Sequence, residues 1–249
     1  MKSEFTIRLA DLDLPIPKGE PRSGAAFRKS VVEALERSYR GFRRLGTLEI
    51  SVAEETVSVA LTTDDGVNPV ALALADLKAG RVDDGMALLE FLHASAPDDP
   101  EVLFLLGSCL SDRGDLPRAE AYLRRAVELR PTSADWLVNF GVVLTRTNKP
   151  VEAEEVLSKA VELAPGNPYA HRNLGPCVAR AGHNFAKAQK HLEQAVALAP
   201  RDPQSWFGLA RLYQTQGKTD AARGACQRVL AIEPGGPLAS HAQALLKQL

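Results

Sequence analysis

The sequence predicts a mainly α fold: a right-handed α-solenoid of about five helix-turn-helix repeats with a C-terminal capping helix, preceded by a small β-α-β-β unit. Three observations carry this expectation. Pro97, Pro131, Pro165, Pro200 and Pro234 recur at intervals of 34, 34, 35 and 34 residues. A small residue recurs with them, at Gly107, Gly141, Gly175 and then at 208–210. A fixed period of this size marks stacked helical hairpins, each of which buries its apolar face only against its neighbours. Ahead of the repeats the apolar pattern runs with period two, then helical spacing, then period two again.

Residues 1–65 are expected to form the αβ domain. Phe5, Ile7 and Leu9 alternate with Thr6, Arg8 and Ala10, as in a half-buried strand. Pro15, Pro17 and Pro21 end it, because proline cannot donate to a ladder. From Ser23 to about Arg44, the residues Phe27, Val31, Leu35, Ser38, Phe42 and Leu45 follow helical spacing, and Gly46 is the expected stop. Leu48, Ile50 and Val52 then alternate, Glu54 and Glu55 turn the chain, and Val57, Val59 and Leu61 return. Residues 62–67 read as a linker. Three strands and one helix are marginal alone, so this unit is expected to dock on the first repeat or to pair with a second copy through a sheet edge. The helix carries Arg28, Lys29, Arg37, Arg40, Arg43 and Arg44, interrupted by Glu33 and Glu36, which reads as a solvated face.

Residues 66–249 are expected to form the solenoid, with units 69–99, 100–133, 134–167, 168–202 and 203–236 and a capping helix at 237–249. Asn68, Asp99, Asn167 and Asp202 each precede a proline. The first side chain accepts from an orphan backbone N–H, and the proline has no N–H to leave unpaired. Ser133 takes that place in the third unit. The eighth residue of the later units is Gly107, Gly141, Gly175 and Ala210, small enough for two helices to cross closely. The second helices repeat Ala119, Ala153, Ala188 and Ala222, followed by Leu123, Leu157, Leu192 and Cys226. Gly114, Asn148, Gly182 and Gly217 are the turn residues that tolerate a left-handed backbone. Departures also stand out. Gly80 comes early and shortens the first unit by a turn. Pro176 falls inside a helix and predicts a bend. One extra residue enters near His183 and Asn184. Leu238, Ala242, Leu245 and Leu249 give the last segment one apolar face, as a cap requires.

These units resemble the tetratricopeptide repeat, W-x2-L-G-x2-Y, then A-x3-F-x2-A, then P. The fullest match is Trp206, Leu209, Ala210, Tyr213, Ala222 and Pro234, and the resemblance covers residues 69–236. It implies a scaffold that binds other proteins. Some members of the family grip a terminal carboxylate with Lys and Asn at the fifth and ninth places of the first helix. Phe104, Ser108, Val138 and Val142 stand there in units two and three, so that clamp is not reproduced.

Net charge is −1, and no stretch reaches the roughly 20 apolar residues of a membrane span. Residues 1–10 hold no apolar run of signal-peptide length. Cys109, Cys177 and Cys226 form no C-x-x-C, which points to a reducing, cytoplasmic setting. No metalloprotease helix, nucleophile elbow, phosphate loop or EF-hand occurs, so no catalytic residue, cofactor or metal is expected. Cys109 and Cys177 read as core packing, and His171 as a packed core histidine. Cys177, His171 and His183 match no metal-ligand spacing.

The first helix of each hairpin lines the inner surface of such a stack. Asn139 and Asn173 lie one period apart there, and their amides can clamp an extended backbone. Arg146 and Arg180 lie one period apart as well. Arg172 and Arg211 extend the basic wall, and Tyr169 and Phe104 add apolar area. The combination suits an acidic peptide. The expected function is therefore a non-catalytic interaction module or scaffold, with the αβ unit as a second contact or self-association element. The alternative is a regulatory or chaperone-like subunit of an enzyme or of a secretion or assembly system. Expected partners are another protein or peptide and a second copy of the chain through residues 1–65. No membrane partner is expected, and nucleic-acid binding through the basic helix of residues 1–65 is the less favoured alternative.

Overall fold

A computed structural model describes residues 2–8, 25–39, 42, 45–53, 56–64 and 67–249. Its contacts group the chain into two units, Met1–Cys109 and Leu110–Leu249.

In the first unit, β1 (Lys2–Arg8), β2 (Gly46–Val52) and β3 (Thr56–Thr63) form an antiparallel sheet in the order β1-β3-β2. Leu48 lies opposite Leu61 and Ile50 opposite Val59. The central strand buries Val57, Val59 and Leu61 completely. The helix α1 (Ala25–Ser38) lies on β2, with Phe27, Val31 and Leu35 buried. It stops well short of Arg44, and Gly46 does not end it but opens β2. The cause is aromatic: the rings of Tyr39 and Phe42 lie 5.8 and 5.4 Å from that of Phe91, so the chain leaves the helix to join them. At Gly46 the backbone has φ 149°, and a Cβ would lie 2.0 Å from the Thr62 carbonyl oxygen. Thr62 and Thr63 belong to β3 rather than to a linker. Leu9, Ala10, Pro15, Pro17, Pro21, Ser23, Arg40, Arg43, Arg44, Glu54 and Glu55 lie outside the described residues.

The first hairpin pairs α2 (Pro69–Lys78) with α3 (Val82–Ser95). At 10 residues, α2 is shorter than the 13 to 15 of its counterparts, the missing turn foreseen from Gly80. Asp76 is 2% exposed, and Arg81 Nη2 donates to it at 2.7 Å, which closes the shortened hairpin. Because α3 packs against β1, the αβ element docks on this hairpin.

The helix α4 (Pro100–Arg113) runs across the division. The second unit continues with α5 (Leu116–Leu129), α6 (Ala134–Arg146), α7 (Pro150–Leu163), α8 (Pro168–Gly182), α9 (Phe185–Leu198), α10 (Pro203–Thr215), α11 (Thr219–Ile232) and α12 (Pro237–Leu246). Asn167 and Asp202 each accept two backbone N–H groups at the start of α8 and α10, whereas Ser133 makes no side-chain cap bond. The third and fourth hairpins cross at their small residue. A Cβ on Gly141 would meet Leu157 Cγ at 2.5 Å, and one on Gly175 would meet Leu192 Cγ at 2.7 Å. The first helices α6, α8 and α10 touch in succession, and α12 covers α11 and α10. Gly114, Asn148 and Gly217 take the left-handed turn positions, but in the fourth hairpin His183 does so, at φ 52°. The extra residue lengthens α8 to Gly182 and passes the left-handed place to the next residue. Pro176 does not break α8, which runs as one helix of 15 residues. Among the described residues no helix is long and apolar enough to cross a membrane.

Candidate peptide-binding face

The face in question is the exposed side of α6, α8 and α10. Asn139 on α6 is exposed. Asn173, one repeat later on α8, donates its amide N–H to the Tyr169 carbonyl at 2.9 Å. Its carboxamide oxygen is left as the acceptor, so the two rungs of the amide pair are unequal. The arginines reach back to the preceding hairpin. Arg146 donates to both the carbonyl and the hydroxyl of Ser111 at 2.8 Å, and Arg180 donates to Asn148 Oδ1 at 2.6 Å. Such bonds hold long side chains along the face and reduce the entropy lost when a ligand orders them.

Arg172 has a different task. It is paired with Asp202 at 3.1 Å and lies over the Tyr169 ring, 4.9 Å from its centroid. Burial pushes the Asp202 carboxyl up, but bonds from Ser205 and the charge of Arg172 outweigh this and hold it below its usual range. Arg172 therefore ties one hairpin to the next. Tyr169 beside it is 55% exposed. Phe104 is half-buried and belongs to the first unit.

Arg180 and Arg211 come together at a cleft of about 700 Å³ between α8 and α10. Its apolar lining is Pro150, Pro176, Ala179, Phe185, Leu192 and Leu212, with Gly208 open between them. The hydroxyls of Thr145 and Thr215, the amide of Asn148 and the imidazole of His183 share the rim with the arginines, and no carboxylate lines it. The amide and arginine pattern leaves this apolar floor out, because Leu192 and Phe185 come from the second helix of the hairpin. The available signal is Gly208, which interrupts the place held by Asn139 and Asn173.

The remaining polar clusters satisfy themselves. Lys149 and Arg124 both donate to Glu120, at 2.6 and 2.9 Å, and Arg124 also pairs with Glu152. Burial raises the Glu120 carboxyl, yet the bonds from Lys149, Arg124 and Thr147 bring it below its usual range. His171 is buried as expected, but its partner is His191, with the Nδ1 atoms 3.1 Å apart. Cys177 is buried against Thr145 Oγ1 at 3.1 Å, and burial pushes its thiol up. Cys109 is only half-buried. Among the described residues no three His, Cys, Asp or Glu side chains are grouped to hold a metal.

Residues 70–134, 110–168 and 179–249 match the tetratricopeptide repeat family. The chain is 32% identical over 169 residues to the cellulose synthase operon protein C of Xanthomonas axonopodis pv. citri (strain 306), covering 65% of this chain and 11% of that one. It thus spans about a tenth of that relative's length. A thermophilic TPR protein of Thermus thermophilus has a similar structure, with TM-score 0.59 and 26% identity over 72% of this chain and 97% of that one. YrrB, a TPR protein described as having an unusual peptide-binding site, gives TM-score 0.58 at 18% identity, covering 72% of this chain and 92% of its own. Repeat register, close crossings and these matches agree: the chain is a member of the tetratricopeptide repeat family.

Proposed function

We propose that this chain is a non-catalytic scaffold that binds an extended, acidic segment of a partner protein along α6, α8 and α10. Stacked hairpins offer extended surfaces of this kind. The observation that carries the reading is the arginine row. Arg146, Arg180 and Arg211 stand on three successive first helices, two of them held by hydrogen bonds, and the cleft beside Arg180 and Arg211 has no carboxylate in its lining. Guanidinium groups placed in this way suit carboxylates, while Asn139 and the free oxygen of Asn173 suit peptide N–H groups. The YrrB likeness supports a peptide ligand by analogy only. Selection of displayed peptides on the chain tests the reading. Acidic sequences are expected to be enriched, and Arg180→Ala with Arg211→Ala is expected to weaken them about tenfold or more, at roughly 1 kcal/mol for each exposed charge pair. Enrichment of neutral or basic sequences, or binding indifferent to both arginines, sinks it.

A further inference from the structure

The irregularities of the fourth and fifth hairpins meet at the cleft. Pro176 is the ninth residue of its hairpin, where the neighbouring units have Val142 and Arg211. Gly208 is the sixth of its own, where the two preceding units have Asn139 and Asn173. The extra residue brings in Phe185 as the first residue of α9, where α7 and α11 begin with Pro150 and Thr219. Pro176, Gly208 and Phe185 all line the same cavity of about 700 Å³.

Each change adds apolar surface or room. Gly208 is the opening. A Cβ there would lie 3.0 Å from Leu192 Cδ2, so the asparagine of the earlier units would press on that leucine and fill the mouth. Leu192 and Leu212, 1% and 6% exposed, close the base of the cleft, and the half-buried Pro176, Ala179 and Phe185 supply its accessible apolar surface. Pro176 adds a ring without an N–H donor. Arg180 and Arg211 stand at the rim, and among the described residues no ion pair engages the Arg211 guanidinium. The volume falls in the range of ligand-binding clefts, about 300–1,000 Å³.

We infer that this cleft is a specificity pocket for one large apolar side chain, the size of Leu or Phe, on a partner segment with carboxylates on either side. The inference rests on the acidic-segment reading and adds to it the residue at the centre of the segment. The charge of the rim decides the flanking chemistry, and the lining decides the central one.

Fluorescein-labelled nonapeptides of alternating Glu and Ser, with Leu, Phe or Ala at the centre, test it by anisotropy with the full chain. The Leu and Phe peptides are expected to bind about 10- to 100-fold tighter than the Ala peptide, the effect of burying one such side chain. Gly208→Asn is expected to abolish that preference. Ala179→Gln, which fills the cleft from a half-exposed wall, is expected to do the same if Gly208→Asn unfolds the hairpin. Equal binding of all three peptides, still weakened by Arg180→Ala with Arg211→Ala, overturns the pocket and leaves the acidic face standing. A preference that survives in a folded cleft-filled variant also overturns it. Binding of none of the peptides overturns both.

Discussion

His171 and Trp206 hold the fourth place of successive hairpins and make the same bond. Trp206 Nε1 donates to the Pro200 carbonyl at 2.9 Å, and His171 Nε2 lies 3.0 Å from the Pro165 carbonyl. A carbonyl can only accept, so His171 carries its hydrogen on Nε2 and its Nδ1 accepts from His191 Nδ1. That fixes both tautomers in the neutral pair. Burial, then the charges of His171, Lys187 and Lys190, hold the His191 imidazole below its usual 6.5, against an opposing pull from Glu154. The unfolded chain therefore takes up this proton first as pH falls. The contribution of His191 is whole above about pH 6.5 and is lost as pH drops through its lower folded value. Thermal unfolding at about pH 7.5 and about pH 5.5 is expected to show a larger fall in midpoint for the native chain than for His191→Gln. Equal falls contradict this. The place of His171 in the repeat is enough to mark it as a core residue. Its partner is not legible, because no period links residues 171 and 191.

At the level of elements, the crossings were the most legible feature. Gly141 faces Leu157 and Gly175 faces Leu192, while the corresponding places of the fifth hairpin in the repeat hold Ala210 and Cys226, a larger residue and a smaller one, both buried. A larger residue matched by a smaller one limits the change in total volume, which close-packed cores tolerate best. Gly141→Ala alone is expected to cost about 1–3 kcal/mol of stability. Combined with Leu157→Cys, it is expected to cost less than the sum of the single changes by about 1 kcal/mol, measured in urea as a double-mutant cycle. Strict additivity would mean that the two residues do not set the crossing. The caps were legible for the same reason as the crossings: Asn68, Asp99, Asn167 and Asp202 act within three residues of themselves. The end of α1 was not, since it is decided by Tyr39 and Phe42 meeting Phe91 from a distant helix. The left-handed residue of the fourth hairpin moved from Gly182 to His183 because one inserted residue gave α8 one more position.

Across the molecule, a period of 34 or 35 residues is enough to state the architecture, because each hairpin repeats the same burial problem. Lateral ties between hairpins reinforce it, as where Lys149 reaches Glu120 and Lys187 reaches Glu154. The site is legible only in part. Polar candidates on first helices follow from the repeat, but Arg172 is engaged by Asp202, and Leu192 and Phe185 come from α9, the second helix of the fourth hairpin. Apart from the shortened first hairpin, the departures from a regular stack gather between α8 and α10, and that is where binding is proposed. Hydrogen–deuterium exchange of the full chain, alone and saturated with an acidic peptide selected on it, tests that assignment most directly. Binding there predicts slowed exchange over residues 176–183 and 208–215, with little change in β1, β2, β3 or α11. Protection confined to the sheet, or to the second helices α7, α9 and α11, would contradict it.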